Sequence, residues 1–310
     1  MTKQETAILL FVYNIPDHTL KVLEGLKKNN VKRLYVFCDG PKTQEDLVKV
    51  ERTRELIRNI DWCEVESVFR ERNIGLATSI INGVTDIFQK GYDSVIVLED
   101  DCVPKENFIK FMVESLEYYR SSKEVMHISG FGLPIKKYTD ADVYFTPYPC
   151  SWGWGTWADV WMGCDFSQTK GYLSLLKNNE VKKRFNYSGE AFSEFLKFQL
   201  EGKVNSWLIR WYYYIFMKNG RCVWSYESLI ENKGFDGSGV HKVKFDRFNQ
   251  KNIGNLQKVN FKFENNLAYN EKLIREFRRY FNGNGIWEKI KTIIYLSTGI
   301  ILEKPKKLGD

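Results

Sequence analysis

The chain alternates strand-length apolar runs with helix-length amphipathic segments from residue 6 to about residue 130, and few folds accommodate that pattern. Thr6–Tyr13 (TAILLFVY) is an apolar run of strand length, ended by the breakers Asn14 and Pro16. A helical segment fits residues 17–29, and Arg33–Cys38 (RLYVFC) is a second strand closed by Asp39-Gly40. Thr43, with Asp46 three residues on, reads as an N-cap opening a helix that runs to about residue 59. Glu64–Phe69 is a third strand. Residues 75–89 then place Leu76, Ile80, Val84 and Ile87 on one helical face. Ser94–Leu98 (SVIVL) is a fourth strand that runs into Glu99-Asp100-Asp101, and Phe108, Phe111, Met112, Leu116 and Tyr119 mark a further amphipathic helix. Four strands separated by helices predict an α/β fold with a mainly parallel sheet covered on both faces. Ligands of such sheets bind at the carboxyl ends of the strands.

Composition narrows the class further. At 310 residues, 43% hydrophobic and with only 7 Pro, the chain is globular rather than disordered or collagen-like. Its formal charge of +7 is unevenly placed. Of 46 Lys and Arg, 15 lie in residues 241–310, against 7 of the 39 Asp and Glu, which leaves 31 against 32 in residues 1–240. The body is therefore balanced, and a basic stretch follows it. With no basic surface on the body, nucleic acid is not an expected partner. The six cysteines, at 38, 63, 102, 150, 164 and 222, show no C-x-x-C spacing, which argues against zinc ribbons and thioredoxin-like sites and suits reduced thiols in the cytoplasm. Residues 1–5 lead directly into the first strand without a secretory signal pattern, and the longest apolar stretch, Ile293–Leu302, is too short to span a bilayer.

Polar residues collect at the predicted strand ends. Asn14 and Asp39 close the first two strands, Arg70, Arg72 and Asn73 follow the third, and Glu99, Asp100 and Asp101 close the fourth. Three successive acids after a buried strand are costly unless a cation or hydrogen-bond donors compensate them. Mg²⁺ or Mn²⁺ takes one or two carboxylates plus substrate phosphates, and the nearby arginines suit a diphosphate. The triplet also fits a solvated turn or the acidic start of the helix beyond Pro104.

These residues resemble a family. Val97 through Phe108 (VLEDDCVPKENF), with Arg72-Asn73-Ile74-Gly75-Leu76 upstream and Asp39 after the second strand, is similar to the nucleotide-sugar-dependent glycosyltransferases of GT-A fold. The likeness is to the N-acetylglucosaminyltransferase I group and to bacterial family-two-like sugar transferases. Tyr148-Pro149 through Ser151-Trp152-Gly153-Trp154-Gly155-Thr156-Trp157 resembles that group's acceptor-side loop. The resemblance covers roughly residues 6–165 well and 195–245 weakly. It implies a GT-A (Rossmann-like) domain over 1–245, with a donor half to about 130 and an acceptor half over 131–245, and a basic helical extension over 246–310. It makes Asp101 the direct metal ligand and sets Glu99 and Asp100 toward the ribose and the ion's water shell. Asp39 would contact the nucleobase and Asn14 the nucleotide, while Arg72 and Asn73 would line the donor pocket. Inverting members carry an Asp base before a Trp on a later helix; here Ser206 stands before Trp207.

Trp154, Trp157 and Trp161 have helical spacing, which fits an aromatic face packed into the core. Trp152 and Trp154 lie among glycines, where exposed indoles suit stacking on an acceptor sugar. Trp207, Trp211 and Tyr212–Tyr214 read as a buried helix. In the polar loop Gly234-Phe235-Asp236-Gly237-Ser238-Gly239-Val240-His241, His241 is a second candidate metal ligand, although a solvated loop histidine fits equally. His18 and His127 read as structural. A base must take the acceptor hydroxyl's proton, and Asp236 and Glu201 are the candidates, with Asp159 and Asp165 behind them. Basic residues around Trp287, Ile290 and Ile294 suit peripheral contact with the inner face of a membrane through residues 286–307, the alternative being a C-terminal helix docked on the domain with a solvated charged face.

The expected activity is an inverting, Mn²⁺- or Mg²⁺-dependent transfer of a hexosyl or N-acetylhexosaminyl group, as in polysaccharide biosynthesis. The donor is a nucleotide-diphosphate sugar, with UDP-sugars favoured, and the acceptor is a glycan or lipid-linked oligosaccharide. The alternatives are a nucleotidyltransferase acting on sugar phosphates and a non-catalytic glycan-binding protein. The first of these usually carries a Gly-rich basic loop after the first strand, and Tyr13-Asn14-Ile15-Pro16 supplies none.

Overall fold

The computed structural model describes residues 5–235, 248, 250 and 259–281. Elements β1 (Thr6–Val12), α1 (Pro16–Lys28), β2 (Arg33–Cys38), α2 (Leu47–Arg58), β3 (Glu64–Phe69), α3 (Leu76–Gln89) and β4 (Ser94–Glu99) follow one another as the alternation predicts. Pro16 opens α1 at a position where its missing N–H costs nothing. One boundary moves. The Asp46 carboxylate accepts from the Thr43 N–H and hydroxyl at 3.0 and 3.1 Å, but this closes a single 3₁₀ turn, Gln44–Asp46, and α2 itself starts at Leu47.

The chain continues through β5 (Cys102–Pro104), α4 (Phe108–Tyr119), β6 (Val125–Ser129), β7 (Val143–Thr146), β8 (Trp154–Trp157) and the short α5 (Ala158–Trp161). Helices α6 (Lys170–Lys177), α7 (Asn179–Phe185), α8 (Phe192–Leu200) and α9 (Trp207–Met217) precede β9 (Arg221–Ser225), β10 (Ile230–Asn232) and α10 (Glu271–Phe281).

Among the described residues eight strands form one sheet in the order β3-β2-β1-β4-β8-β6-β9-β7, and β5 pairs with β10 in a separate two-stranded ribbon. Strands β1 to β4 are parallel, as are β6 and β9, whereas β8 runs antiparallel to both β4 and β6 and β7 antiparallel to β9. The molecule is thus a mixed α/β protein with a large, mostly parallel central sheet flanked by helices. From β1 the chain steps outward through β2 to β3, then crosses back to lay β4 on the other side of β1. That reversal opens a crevice at the carboxyl ends of β1 and β4, where open α/β sheets take their ligands.

The core explains why the first strands were readable. Leu9, Leu10, Val36 and Val95–Leu98 have no exposed surface, and strands buried on both faces appear in sequence as unbroken apolar runs. Trp154 and Trp157 correct an expectation. Their spacing fits a helix, yet they form β8, which lies between β4 and β6. Residues three apart in a strand point to opposite faces, and both indoles are buried because both faces of the sheet are covered.

The described part of the basic C-terminal stretch, residues 259–281, packs into this same core. Phe261 and Phe263 lie against Phe111, with ring centroids 5.0 and 6.1 Å away, and α10 buries Leu273, Ile274 and Phe277, the last 5.0 Å from Trp224. Residues 286–307, expected at a membrane surface, lie outside the described residues. Among the described residues no helix is long and apolar enough to cross a membrane.

Candidate functional site

Strand β4 ends in Glu99, and Asp100 and Asp101 follow before the chain turns into β5. These carboxylates meet the end of β1, where the Tyr13 N–H donates to Asp100 Oδ2 at 2.8 Å. All three residues are half-buried at the crevice. Burial, then the charges of Asp101 and Asp100, push the Glu99 carboxyl well above the usual range. Burial and Asp101 push Asp100 up to about 7, against the pull of the Tyr13 N–H. Asp101 is raised by burial, while the Cys102 thiol, His18 and the Asn232 amide draw it back down. Burial raises all three acids, and the Asp101 charge adds to that for Glu99 and Asp100, so a cation beside Asp101 would relieve their repulsion.

Asp101 is the most closely held of the three. The Cys102 thiol donates to its Oδ1 at 3.2 Å, and its carbonyl accepts from the Lys233 N–H at 2.8 Å. Oδ2 faces Gly234, where even a methyl group would overlap it, so only glycine permits the approach. The β5–β10 ribbon creates this contact by pairing Asn232 with Cys102.

The second cluster closes β2. Asp39 is buried, 5% exposed, and its carboxylate accepts from the backbone N–H groups of Gly40, Ile74 and Gly75 at 3.0, 3.0 and 3.1 Å. Asn73 completes the turn, donating to the Gly40 carbonyl at 3.1 Å and accepting the Gly75 N–H at 3.0 Å. Gly75, at φ +81°, then starts α3. Arg72 is exposed, with its backbone against Gly40. Asn14 donates to Asp46 Oδ1 at 2.8 Å, and the Tyr13 hydroxyl donates to Asp46 Oδ2 at 2.7 Å, which ties the β1 end to the 3₁₀ turn. Those bonds, the Tyr13 hydroxyl foremost, hold the Asp46 carboxyl at about 2. Asn14, Asp39, Arg72, Asn73 and the acidic triplet thus follow the ends of four adjacent parallel strands, β1, β2, β3 and β4.

The remaining expected site residues have different surroundings. Trp154 has no exposed surface and stacks on Trp207 and Trp161, with centroids 4.7 and 5.6 Å away, so its indole is core and not a sugar platform. Trp152 is half-buried, edge-on to Phe131, Phe235 and Phe248 at 4.7, 5.6 and 5.0 Å. Glu201 lies on the exposed end of α8, paired with Lys203 at 2.7 Å and Lys197 at 3.7 Å, which lowers its proton affinity. Asp236 and His241 lie outside the described residues.

His127 is structural. Its Nδ1 accepts the Trp211 indole N–H at 3.2 Å, and its Nε2 lies 2.9 Å from the Cys150 carbonyl and 3.2 Å from the Cys150 N. His18, read from sequence as a structural residue at a helix start, is buried in the first turn of α1, within electrostatic reach of Asp101. The start of a helix that follows a parallel strand points at the strand ends, and that placement was the available signal. Asp46 and Asn232 carried weaker signals, a cap spacing and the entrance to a glycine-rich loop.

Among the described residues no three His, Cys, Asp or Glu side chains converge as a metal cage. The donor set is a run of carboxylates headed by Asp101. It fits a hard divalent ion whose coordination substrate phosphates complete, and does not fit a closed all-protein site.

No known family description matches the chain, and no curated protein does. Among solved structures it is similar to the mannosyltransferase PcManGT from Pyrobaculum calidifontis in complex with GDP-Man and Mn²⁺, at 10% identity over 70% of each chain and a TM-score of 0.40. It is similar to a cytidylyltransferase from Leptospira borgpetersenii serovar Hardjo-bovis, at 10% identity over 52% of this chain and 63% of that one, TM-score 0.35. A mannose-1-phosphate geranyltransferase from Thermus thermophilus is similar at 11% identity over 71% and 73%, TM-score 0.34. Likenesses this distant carry no residue-level correspondence.

Proposed function

We propose that this protein is a divalent-metal-dependent glycosyltransferase of GT-A type. It moves a sugar from a nucleotide-diphosphate sugar, a UDP-sugar by preference, to a hydroxyl of a glycan or lipid-linked acceptor, with inversion at the anomeric carbon. The observation that carries this reading is the acidic strand end: Asp101 with Glu99 and Asp100, at the switch point of a parallel sheet, flanked by the Asp39–Asn73 turn.

Asp101 would hold Mn²⁺ or Mg²⁺, which when bound would supply positive charge to offset the negative charge developing on the leaving diphosphate. The strand-end residues do the rest. Asp39 fixes the 73–75 turn at the carboxyl end of β2, and the nucleoside would lie beside that turn. In the reaction the acceptor oxygen forms a bond to the anomeric carbon as the bond from that carbon to the phosphate oxygen breaks. The leaving nucleoside diphosphate takes that electron pair, and a protein carboxylate takes the acceptor's proton. Of the two candidate bases, the Lys-paired Glu201 is a poor proton acceptor, and Asp236 is the base in this proposal.

Incubation with UDP- and GDP-sugars and Mn²⁺ tests the reading by release of nucleoside diphosphate. Release of pyrophosphate from a nucleoside triphosphate and a sugar 1-phosphate would instead identify a nucleotidyltransferase. Glycan binding without either release would identify a lectin-like protein.

A further inference from the structure

The Asp101 carboxylate is bracketed from both sides by a single residue of the β5–β10 ribbon. Asn232 is buried, 5% exposed, and sits opposite Cys102 in that antiparallel pair. Its Nδ2 lies 3.7 Å from the Cys102 sulfur, and the Cys102 thiol donates to Asp101 Oδ1. Its Oδ1 accepts the Gly234 N–H at 2.8 Å, and Gly234 is the residue that abuts Asp101 Oδ2. Asn232 is itself fixed by Gln250, whose side-chain amide accepts from the Asn232 N–H at 2.7 Å and donates to its carbonyl at 3.1 Å. Cys102 bonds one oxygen of Asp101, Gly234 leaves room for the other, and Asn232 contacts both of those residues as well as acting on the carboxylate through its own amide.

We propose that Asn232 is the positioning residue of Asp101, holding that carboxylate in the one rotamer that can serve a divalent ion and its nucleotide diphosphate. This rests on the proposed function above. The parallel sheet brings the acidic triplet to the crevice, and the ribbon orients its last member. Groups standing behind a metal-ligating carboxylate typically change metal affinity 10- to 100-fold when removed.

Mn²⁺ binding, followed by the loss of the free-ion electron paramagnetic resonance signal with GDP or UDP present, tests this without reference to turnover. Asn232→Ala and Gly234→Ala should each weaken Mn²⁺ binding by about 10- to 100-fold, with an altered hyperfine pattern for the residual bound ion. Asn232→Ser keeps an oxygen able to accept the Gly234 N–H and should recover part of the loss. If Asn232→Ala does not fold, Gly234→Ala and Asn232→Ser carry the test. Wild-type Mn²⁺ affinity in the variants that fold would overturn the positioning role while Asp101→Asn still abolished binding. Absence of nucleotide-linked Mn²⁺ binding in the wild-type protein, or its persistence in Asp101→Asn, would overturn the proposed function and this inference together.

Discussion

Asp39, the residue after β2, accepts the N–H of Gly75, the residue before α3, at 3.1 Å, a bond that spans 36 positions of the chain. With Ile74 and Gly40 also donating to it, the carboxylate replaces the water that a buried turn would otherwise need. Asp39→Ala would leave those three amides without their acceptor at a cost of at least about 3 kcal/mol, since hydrogen bonds to charged groups contribute about 1.5–3 kcal/mol each and water replaces part of the loss. Urea unfolding of the variant measures this, and a loss below about 1 kcal/mol would mean that the turn holds itself. Asp39→Asn, which keeps one acceptor oxygen, should lose less.

A buried histidine on strand β6, His127, makes the fold acid-sensitive in a defined window. Burial holds the His127 imidazole down to about 3, so the folded protein keeps it neutral while the unfolded chain protonates near its ordinary value of about 6.5. Its contribution is therefore fully present above about pH 6.5 and declines toward pH 3, by about 1.4 kcal/mol per pH unit. His127→Gln should be less stable at pH 8 and show a shallower fall between about pH 6.5 and pH 4. Parallel stability curves for the two proteins would contradict the assignment.

The two glycine-flanked tryptophans separate by burial. Trp154 stacks among Trp161, Trp207 and His127 in the core, so Trp154→Ala should cost about 3–5 kcal/mol in thermal or denaturant unfolding. Trp152 is half-buried beside Phe235, so Trp152→Ala should cost less than half as much. Equal losses would show that both indoles are core.

The two candidate bases are likewise separable by turnover. Glu201→Gln removes a solvent-facing carboxylate paired with two lysines and should change kcat less than about twofold, whereas Asp236→Asn should lower it by about 10²-fold or more. A large loss in Glu201→Gln with none in Asp236→Asn would reverse the assignment.

What was legible in the sequence follows from how each element is held. Strands β1, β2 and β4 are buried on both faces and α3 on one, so their side chains record their surroundings residue by residue. The acidic triplet was legible because charge beside a buried strand is costly. β8 was not: in Trp-Gly-Thr-Trp the burial comes from neighbours on both sides, and nothing in the four residues marks a strand. The partners of Asp101 were hidden because Asn232 reaches Cys102 from 130 positions away through a three-residue strand. Their contact exists only once the sheet has formed.

The central claim is that Asp101 and its neighbours bind a nucleotide diphosphate through a divalent ion. Calorimetric titration of wild type and Asp101→Asn with UDP, GDP and their sugars, with and without Mn²⁺, measures it directly. The account predicts nucleotide binding by wild type that strengthens at least about tenfold with Mn²⁺, in keeping with the loss of charge repulsion, and no such gain in Asp101→Asn. Nucleotide binding that is absent in wild type, or indifferent to the metal, would contradict it.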